Sequence, residues 1–314
     1  MSSDQLREFR APARGEEASP LPDVAADIGA SDGLDWVGMD AIELPLRLVG
    51  QTDLRMPARV SAQVDLREGA RGIHMSRLYL ALDAQLADAP LSPALLESLL
   101  REFVASHAGL STRARVRIDF DQFLRRAALA SGNCGWRRYP VTLTASLLPT
   151  GFTIEVAFAV VYSSTCPAST ALARQLVAED FAQAFAADAP LDRDAALRWL
   201  AGEHGMRATP HSQRSTASIR ARLLPGIEAL PLQRLIDGAE GALATPVQAA
   251  VKRIDEQAFA RANGVNPMFC EDAARRLRQW LQREPLVSGF QVRVAHHESL
   301  HAHDAVAEFG AGRR

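Results

Sequence analysis

The stretch V-V-Y-S-S-T-C-P-A-S-T-A-L-A-R-Q, residues 160–175, decides the fold that the sequence predicts. Before its centre, residues 152–162 alternate apolar with small or polar side chains, which is the period of a half-buried strand. After it, residues 169–178 have a pattern typical of a helix. Cys166 is therefore expected to lie where a strand ends and a helix begins.

Cys166 has two interpretations at this junction. The partial positive charge of a helix N-terminus lowers the pKa of a thiol, and the resulting thiolate can bind a metal or attack a carbon atom. A lone cysteine is also commonly a small, buried core residue. Histidines and carboxylates farther along the chain favour the first interpretation.

Composition narrows the class of protein. The chain has 314 residues, of which 47% are hydrophobic, and a formal net charge of −2, so we expect a globular protein of one large or two ordinary domains and no general affinity for nucleic acid. Its three cysteines do not make a disulfide framework. The sequence lacks both a secretory signal and an apolar run of about 18 residues, so we expect no membrane span and a cytoplasmic location.

Read in order, the chain predicts an α+β protein. Residues 1–33 lack periodicity and contain several prolines, which indicates a flexible tail. Alternating segments joined by short turns then indicate antiparallel strands covered on one face. These strands are predicted at 42–48, 59–66, 78–82, 113–120, 141–147, 152–160, 216–224 and 290–294.

Helices are predicted between the strands. Ser92 is a suitable N-cap for the first of them, because Pro93 fits the first helical position and apolar residues then recur at helical spacing. Asp192 is a suitable cap within the helical region 178–206. Two more helices are predicted, one opening at Thr245 and running to residue 264, and one opening at Asn266.

The two halves of the chain resemble each other in the order of their segments. A Pro-Thr-Gly turn at 149–151 separates them, and each half contains an H-x-x-R bend, at 74–77 and at 211–214. We therefore predict two related modules, 34–150 and 151–314.

Four residues are candidates for metal ligands or proton carriers: Cys166, His211, Glu256 and His301. Their spacing matches no local zinc motif. His211 could instead cap a turn after Pro210. Glu256 points away from the apolar face predicted for its helix, towards either solvent or a cleft. His301 forms, with His303, a cluster of a kind that is often inert at a surface.

Glu271 lies in the first turn of a predicted helix. A carboxylate at this position is an ordinary partner of the helix dipole. It could instead accept two hydrogen bonds from a guanidine-like edge such as that of guanine. The spacing alone does not select between these roles.

Six segments together resemble GTP cyclohydrolase I of type IB. They are R-G-I-H-M-S-R-L-Y at 71–79, S-S-T-C-P at 163–167, P-H-S-Q-R-S at 210–215, K-R-x-D-E at 252–256, N-P-M-F-C-E-D at 266–272 and E-S-L-H-A-H-D-A at 298–305. Each segment is weak alone, but all six follow the order of that family and the resemblance covers most of residues 36–309.

This resemblance implies the tunnelling fold (T-fold), with two modules per chain and antiparallel sheets that carry helices on one face. Assembly, expected to give a homotetramer, completes the barrel. The implied reaction turns GTP and water into formate and 7,8-dihydroneopterin triphosphate, the first step of tetrahydrofolate biosynthesis. Metal-activated water attacks C8 of guanine. Ligands of mixed sulfur, nitrogen and oxygen type suit Zn²⁺ or Mn²⁺, with Fe²⁺ as a further candidate.

The resemblance also assigns roles to individual residues. The implied metal ligands are Cys166, His211, Glu256 and His301, of which Cys166 and His301 are also the predicted catalytic residues. Glu271 matches the carboxylate that anchors the purine. The triphosphate needs cationic donors, for which the candidates are His74, Arg77, Arg214, Lys252 and Arg253. Where the family often has Cys-Pro-Cys, this chain has Ala168, so a neighbouring thiol is absent.

Two alternatives share the implied fold. One is a reductase that uses NADPH to reduce 7-cyano-7-deazaguanine, but its lysine-rich cofactor motif is missing from a chain whose one lysine is Lys252. The other is a non-catalytic purine-binding protein, which the presence of all four metal-site residues disfavours. Release of formate from GTP with added metal separates the three.

Overall fold

A computed structural model describes residues 32–48, 55–86 and 89–312. Nearly all of the predicted N-terminal tail, 1–33, lies outside the described residues. The strands are β1 (Leu34–Leu48), β2 (Arg55–Leu66), β3 (Pro90–Leu91), β4 (Ala114–Ala127), β5 (Cys134–Leu148), β6 (Gly151–Thr165), β7 (Ser212–Leu223), β8 (Val287–His296) and β9 (Ala305–Gly312). The helices are α1 (Met75–Leu86), α2 (Pro93–Ser106), α3 (Pro167–Ala184), α4 (Arg193–Ala201), α5 (Leu232–Leu243), α6 (Arg253–Val265) and α7 (Cys270–Arg283), with a short 3-10 helix at Glu203–Met206.

The described strands form one nine-stranded sheet in the order β3-β1-β2-β4-β5-β6-β7-β8-β9. Neighbouring strands are antiparallel except for the short parallel pair of β1 and β3. The predicted α+β class with antiparallel strands is therefore confirmed.

The sheet has one apolar and one polar face. The register aligns Val116 with Ala145 and Ala145 with Ile154, and all three are buried. One position along, Arg117 and Glu155 lie on the opposite face, because successive side chains of a strand alternate. The prediction that only one face is covered is confirmed.

Helices cover the apolar face at both ends of the sheet. Helices α1 and α2 pack on β1, β2, β4 and β5, while α5 and α7 pack on β6, β8 and β9. The predicted start of α2 is confirmed, since the Oγ of Ser92 accepts the N–H of Leu95 at 3.2 Å. Ala274, Leu277 and Leu281 of α7 are buried. No described helix has the length and apolar character needed to cross a membrane.

Four predicted elements differ from the structure. The helix expected to open at Asn266 begins at Cys270, and the helical region predicted at 178–206 is divided among α3, α4 and the 3-10 helix. Residues 78–82 form part of α1 and not a strand, because Leu78 and Leu82 are buried one helical turn apart while Leu80 between them is 65% exposed. The helix expected to open at Thr245 begins at Arg253. The preceding segment instead pairs with the end of β6, where the hydroxyl of Thr245 donates to the carbonyl of Ser163 at 2.6 Å.

The predicted boundary near residue 150 is a tight hairpin inside the continuous sheet. Gly151 has φ +123° and pairs with Leu148 across this turn, a backbone conformation that favours glycine. On one side the order is β1, β2, α1, α2, β4, β5, with β3 between the helices; on the other it includes β6, β7, α5, α7, β8, β9. Helices α3, α4 and α6 are additional in the second half. The division into two modules remains a prediction.

Candidate functional site

Cys166 caps the N-terminus of α3, at the strand-to-helix junction that the sequence predicts. Its backbone is extended, with φ −67° and ψ 123°, and Pro167 occupies the first helical position. The Sγ accepts the N–H of Ser169 at 3.5 Å, and the side chain is partly exposed. The thiol is thus held in one place and remains accessible to a ligand.

His211 brings the chain back to Cys166 after α3 and α4. The N–H of Cys166 donates to the carbonyl of His211 at 3.2 Å. In return, the N–H of His211 donates to the Oγ of Ser169 in the first turn of α3 at 3.1 Å. Two of the four predicted metal ligands, distant in sequence, are therefore neighbours.

The imidazole of His211 is oriented by a buried amide. Its Nδ1 lies 2.9 Å from Oε1 of Gln213, and Nε2 of the same amide donates to the Oγ of Ser164 at 2.7 Å. Because the amide oxygen can only accept, Nδ1 carries the proton and Nε2 keeps its lone pair. A second partner of this kind fixes which histidine nitrogen can bind a metal.

Glu298 is a residue at this site that the sequence did not single out. Its Oε2 is buried, lies 3.5 Å from Nδ1 of His211, and has no hydrogen-bond donor among the described residues. An unsatisfied buried carboxylate oxygen is costly, so this position favours a cation. A signal existed, because Glu298 begins the same E-S-L-H-A-H-D-A segment that contains His301.

Glu256 lies in the first turn of α6 and lines a cavity of about 410 Å³. Gln213 and Arg214, at the start of β7, line the same cavity. The apolar stripe predicted for this helix is wrong, since Ile254 is 56% exposed and the buried residue of the turn is Asp255. Glu256 is exposed to solvent and also lines this cavity, so both directions predicted for it remain open.

His301 lies in the turn between β8 and β9 and is exposed. Its ring stacks on that of His303, with the centroids 5.0 Å apart and the planes at 10°. Within residues 32–48, 55–86 and 89–312, no three His, Cys, Asp or Glu side chains are grouped closely enough to hold a metal ion. The assignment of His301 and Glu256 to a metal site with Cys166 and His211 therefore stays a prediction.

Glu271 lies exposed in the first turn of α7, beside buried polar groups. Burial raises the pKa of the Cys270 thiol to about 11, and this thiol donates to the Glu271 carboxylate at 3.3 Å.

The hydroxyl of Tyr162 lies 2.8 Å from Nε2 of His296. Burial lowers the pKa of His296 to about 4, although the charge of Glu271 acts in the opposite sense, so this histidine is neutral near pH 7.

Of the predicted triphosphate ligands, one lines the cavity of Glu256 and two lie beside Glu256 in the sequence. Arg214 lines the cavity itself. Lys252 is the N-cap of α6 and Arg253 is its first residue, so both belong to the same turn as Glu256. This part of the predicted constellation is brought together by the fold.

The other two predicted triphosphate ligands, His74 and Arg77, lie at the start of α1 in the first half. The Nη1 of Arg77 donates to the carbonyl of Ser106 at 2.5 Å. The bend at 74–77 leads into helix α1, whereas the bend at 211–214 leads into strand β7. The two H-x-x-R segments are therefore similar in sequence but differ in local structure.

Comparison with known proteins identifies similar sequences along almost the whole chain. The sequence model of a family described as Type I GTP cyclohydrolase folE2 matches residues 21–307. GTP cyclohydrolase FolE2 of Pseudomonas putida (strain GB-1) is 50% identical over 288 residues, which cover 91% of this chain and 94% of that protein.

The solved structures to which the chain is similar include two uricases. For the uricase of Arthrobacter globiformis the TM-score is 0.48 at 11% identity, over 89% of this chain and 94% of that one. For a uricase of Bacillus fastidious the TM-score is 0.48 at 7% identity, over 88% of this chain and 93% of that one.

Proposed function

Because this chain belongs to the type I GTP cyclohydrolase FolE2 family, we infer that it converts GTP and water into formate and 7,8-dihydroneopterin triphosphate, the first step of tetrahydrofolate biosynthesis. The observation that carries this inference is the 50% identity to a FolE2 protein over 91% of the chain. The contact between Cys166 and His211 supports it independently, because the fold joins two residues that the resemblance assigns to one site.

We propose that the side chains around Cys166 contribute ligands to a divalent metal. Cys166 offers sulfur, His211 offers an imidazole nitrogen with its lone pair available, and Glu298 offers a buried carboxylate oxygen that lacks a donor. Glu256 and His301 are the further ligands that we propose. This mixed set suits Zn²⁺ or Mn²⁺, with Fe²⁺ as a further candidate. A metal bound there would supply Lewis acidity that lowers the pKa of water.

The residues of this chain would bind and orient the nucleotide around that centre. We propose that the Glu271 carboxylate accepts hydrogen bonds from N1 and the 2-amino group of guanine, since it is exposed at the start of α7. His301 would exchange protons during ring opening and reclosure, for which an imidazole is suited near neutral pH.

Cationic side chains would hold the triphosphate. Arg214 lines the cavity of Glu256, and Lys252 and Arg253 lie at the start of the same helix as Glu256. Their positive charges are opposite in sign to those of the phosphates. We propose that His74 and Arg77 serve the same triphosphate from a neighbouring subunit.

We also propose that the chain assembles as a homotetramer in the cytoplasm. The uncovered face of the sheet is lined with paired charges, such as Arg222 with Glu155 at 3.0 Å and Arg293 with Glu308 at 2.9 Å. A polar sheet face of this kind suits the water-filled interior of a barrel that several chains complete.

The decisive experiment measures formate release from GTP by protein purified without chelator, together with its metal content. Stoichiometric metal and formate formed in step with a dihydropterin product would support the proposal. Protein that contains metal, releases no formate, and consumes NADPH with 7-cyano-7-deazaguanine would contradict it.

A further inference from the structure

The first turn of α6 is held by a carboxylate to which the proposed chemistry gives no part. Asp255 is completely buried, with a relative exposure of 0%. Its Oδ1 accepts the N–H groups of Ala130 at 2.8 Å and Ser131 at 2.7 Å. Its Oδ2 accepts the hydroxyl of Ser131 at 2.6 Å and the N–H of Lys252 at 2.8 Å. All four donors satisfy the carboxylate in its ionised form.

These four hydrogen bonds join two distant parts of the chain. Ala130 and Ser131 belong to the hairpin between β4 and β5, in the first half, whereas Lys252 is the N-cap of α6 in the second. The N–H of the N-cap residue is one of the groups that a carboxylate three residues later can satisfy. Asp255 therefore caps its own helix and anchors it to the hairpin with the same side chain.

The hairpin and the segment before α6 are also packed without space between them. A Cβ added at Gly135, the second residue of β5, would lie 2.5 Å from the Cβ of Ala249 and 3.2 Å from the backbone N of Ala250. This close approach is independent of the hydrogen bonds. It indicates that the hairpin acts as a fixed support for α6.

The supported turn carries the side chains that the proposed function needs. Lys252 and Arg253 are candidates for the triphosphate, and Glu256 faces the cavity beside Arg214. A helix that loses its anchor changes its entry direction, and all three side chains move with it. Active sites tolerate displacements of this kind poorly, because binding groups act over fractions of an ångström.

We propose that Asp255 is a positioning residue, through which the β4–β5 hairpin of the first half sets the position of Glu256, Lys252 and Arg253 in the second. The inference rests on the proposed function, since it assigns these three residues to the site. It gives the first half a part in the site of its own chain, in addition to any contact with a neighbouring subunit.

The chain offers a matched control in Asp65, at the end of β2. Its Oδ1 accepts two consecutive N–H groups, from Thr112 at 2.8 Å and Arg113 at 2.7 Å, and its Oδ2 accepts the hydroxyl of Thr112 at 3.1 Å. This is the pattern that Asp255 makes with Ala130 and Ser131. Asp65 anchors the start of β4 and its contacts involve none of the proposed site residues.

The test compares Asp255→Asn, Ser131→Ala and Ser131→Thr with Asp65→Asn. Metal content of the purified protein, GTP affinity by calorimetry, kcat, KM and Tm are measured for each. Asp255→Asn is expected to weaken metal retention and GTP affinity by about 10- to 100-fold, as substitutions behind a ligand do. Ser131→Ala should act in the same direction with a smaller effect. Ser131→Thr keeps the hydroxyl group and should therefore retain the wild-type values. Asp65→Asn should lower Tm alone.

The proposal would be overturned if Asp255→Asn and Ser131→Ala both kept wild-type metal content and GTP affinity. A lowered Tm as the only change, as in Asp65→Asn, would show that Asp255 is a structural cap. Should Asp255→Asn not fold, the pair Ser131→Ala and Ser131→Thr decides by the same measurements. Wild-type protein that binds metal and GTP but releases no formate would remove the proposed reaction. The positioning of the bound nucleotide would still be decided by calorimetry.

Discussion

The two halves of the sheet share an order of elements but differ in what connects them. In the first half the strands and the helix pair follow one another through short segments. In the second half α3 and α4 are inserted between β6 and β7, and α6 between α5 and α7. Every proposed metal ligand lies at or beside these connections or in the β8–β9 turn. The shared plan therefore provides a scaffold, and the connections of the second half hold the residues of the proposed site.

The difference in chemistry does not make the halves independent in structure. The hydroxyl of Tyr139 on β5 donates to Oε1 of Glu240 on α5 at 2.7 Å, and Arg137 pairs with the same oxygen at 2.9 Å. Arg126 of β4 donates to the Tyr139 hydroxyl at 2.8 Å. This buried polar network joins residues that precede the turn at 149–151 to a residue that follows it. The turn therefore marks where the order of elements repeats, and the two halves are packed against each other.

Removing the thiol at the β6–α3 junction should have the largest effect. Cys166→Ala is expected to abolish metal binding and turnover while circular dichroism and Tm stay close to wild type, since the side chain accepts one long hydrogen bond and is partly exposed. The matched control is Cys134→Ala, which removes an exposed thiol from the first half. Metal and rate retained in Cys166→Ala would show that the second half does not carry the site in the proposed way.

Mixed oligomers would sharpen the comparison by separating the two halves between chains. Cys166→Ala subunits lack the second-half site, and subunits with both His74→Ala and Arg77→Ala lack the first-half bend. After dissociation and joint reassembly, a fraction of the activity should return, because some interfaces pair an intact bend with an intact metal site. Mixtures as inactive as either parent would mean that the bend does not act across a subunit boundary.

The sequence predicts the strands and helix starts that depend on local interactions. The alternation in β4 to β6 follows from a sheet covered on one face, and the start of α2 follows from Ser92 and Pro93. The strand predicted at 78–82 is wrong, because leucines at every second position match the period of a strand although the segment is helical. Only the packing shows that Leu80 is exposed while Leu78 and Leu82 are buried.

The features that the sequence did not reveal depend on contacts between distant segments. The delayed start of α6 follows from the bond between Thr245 and Ser163. Glu298 becomes a candidate only when the β8–β9 turn lies against His211, and Asp255 only when the β4–β5 hairpin reaches α6. Strand β9 and helix α5 were also missed. Strand β9 alternates with alanine and glycine, which give a weak signal.

The purine anchor tests the second half with a smaller effect. Glu271→Gln places an amide donor against a guanine donor, which is expected to weaken GTP binding by on the order of 1–3 kcal/mol, roughly 5- to 150-fold in Kd, while metal content stays unchanged. Asp272→Asn is the neighbouring control, because Asp272 accepts the N–H of Phe269 and serves the helix end. Equal GTP affinity in Glu271→Gln and wild type would remove this role.

The smallest expected effect concerns Asp65 in the first half, whose substitution should change stability alone. Burial raises the pKa of Asp65, but the N–H groups of Arg113 and Thr112 and the Thr112 hydroxyl outweigh it, so that the pKa lies below the ordinary value of 3.8. A carboxyl group whose pKa is lowered in the folded state stabilises the protein fully when the pH is above the pKa of the unfolded state. That contribution is lost as the pH falls through the folded value.

Asp65→Asn should therefore lower the free energy of unfolding at pH 7 by on the order of 1–2 kcal/mol, because two N–H groups lose their charged acceptor. As the pH falls from the ordinary pKa of 3.8 through the lower pKa of the folded state, the wild-type carboxyl group becomes protonated and resembles the amide, so the two stability curves should converge. Urea unfolding at a series of pH values from neutral to strongly acidic measures this difference, with formate release at neutral pH as the control for activity. A difference in stability that stays constant with pH would mean that the ionised carboxylate is not what holds β2 to β4. A loss of activity beyond the loss of folded protein would mean that the first half contributes to the site here as well.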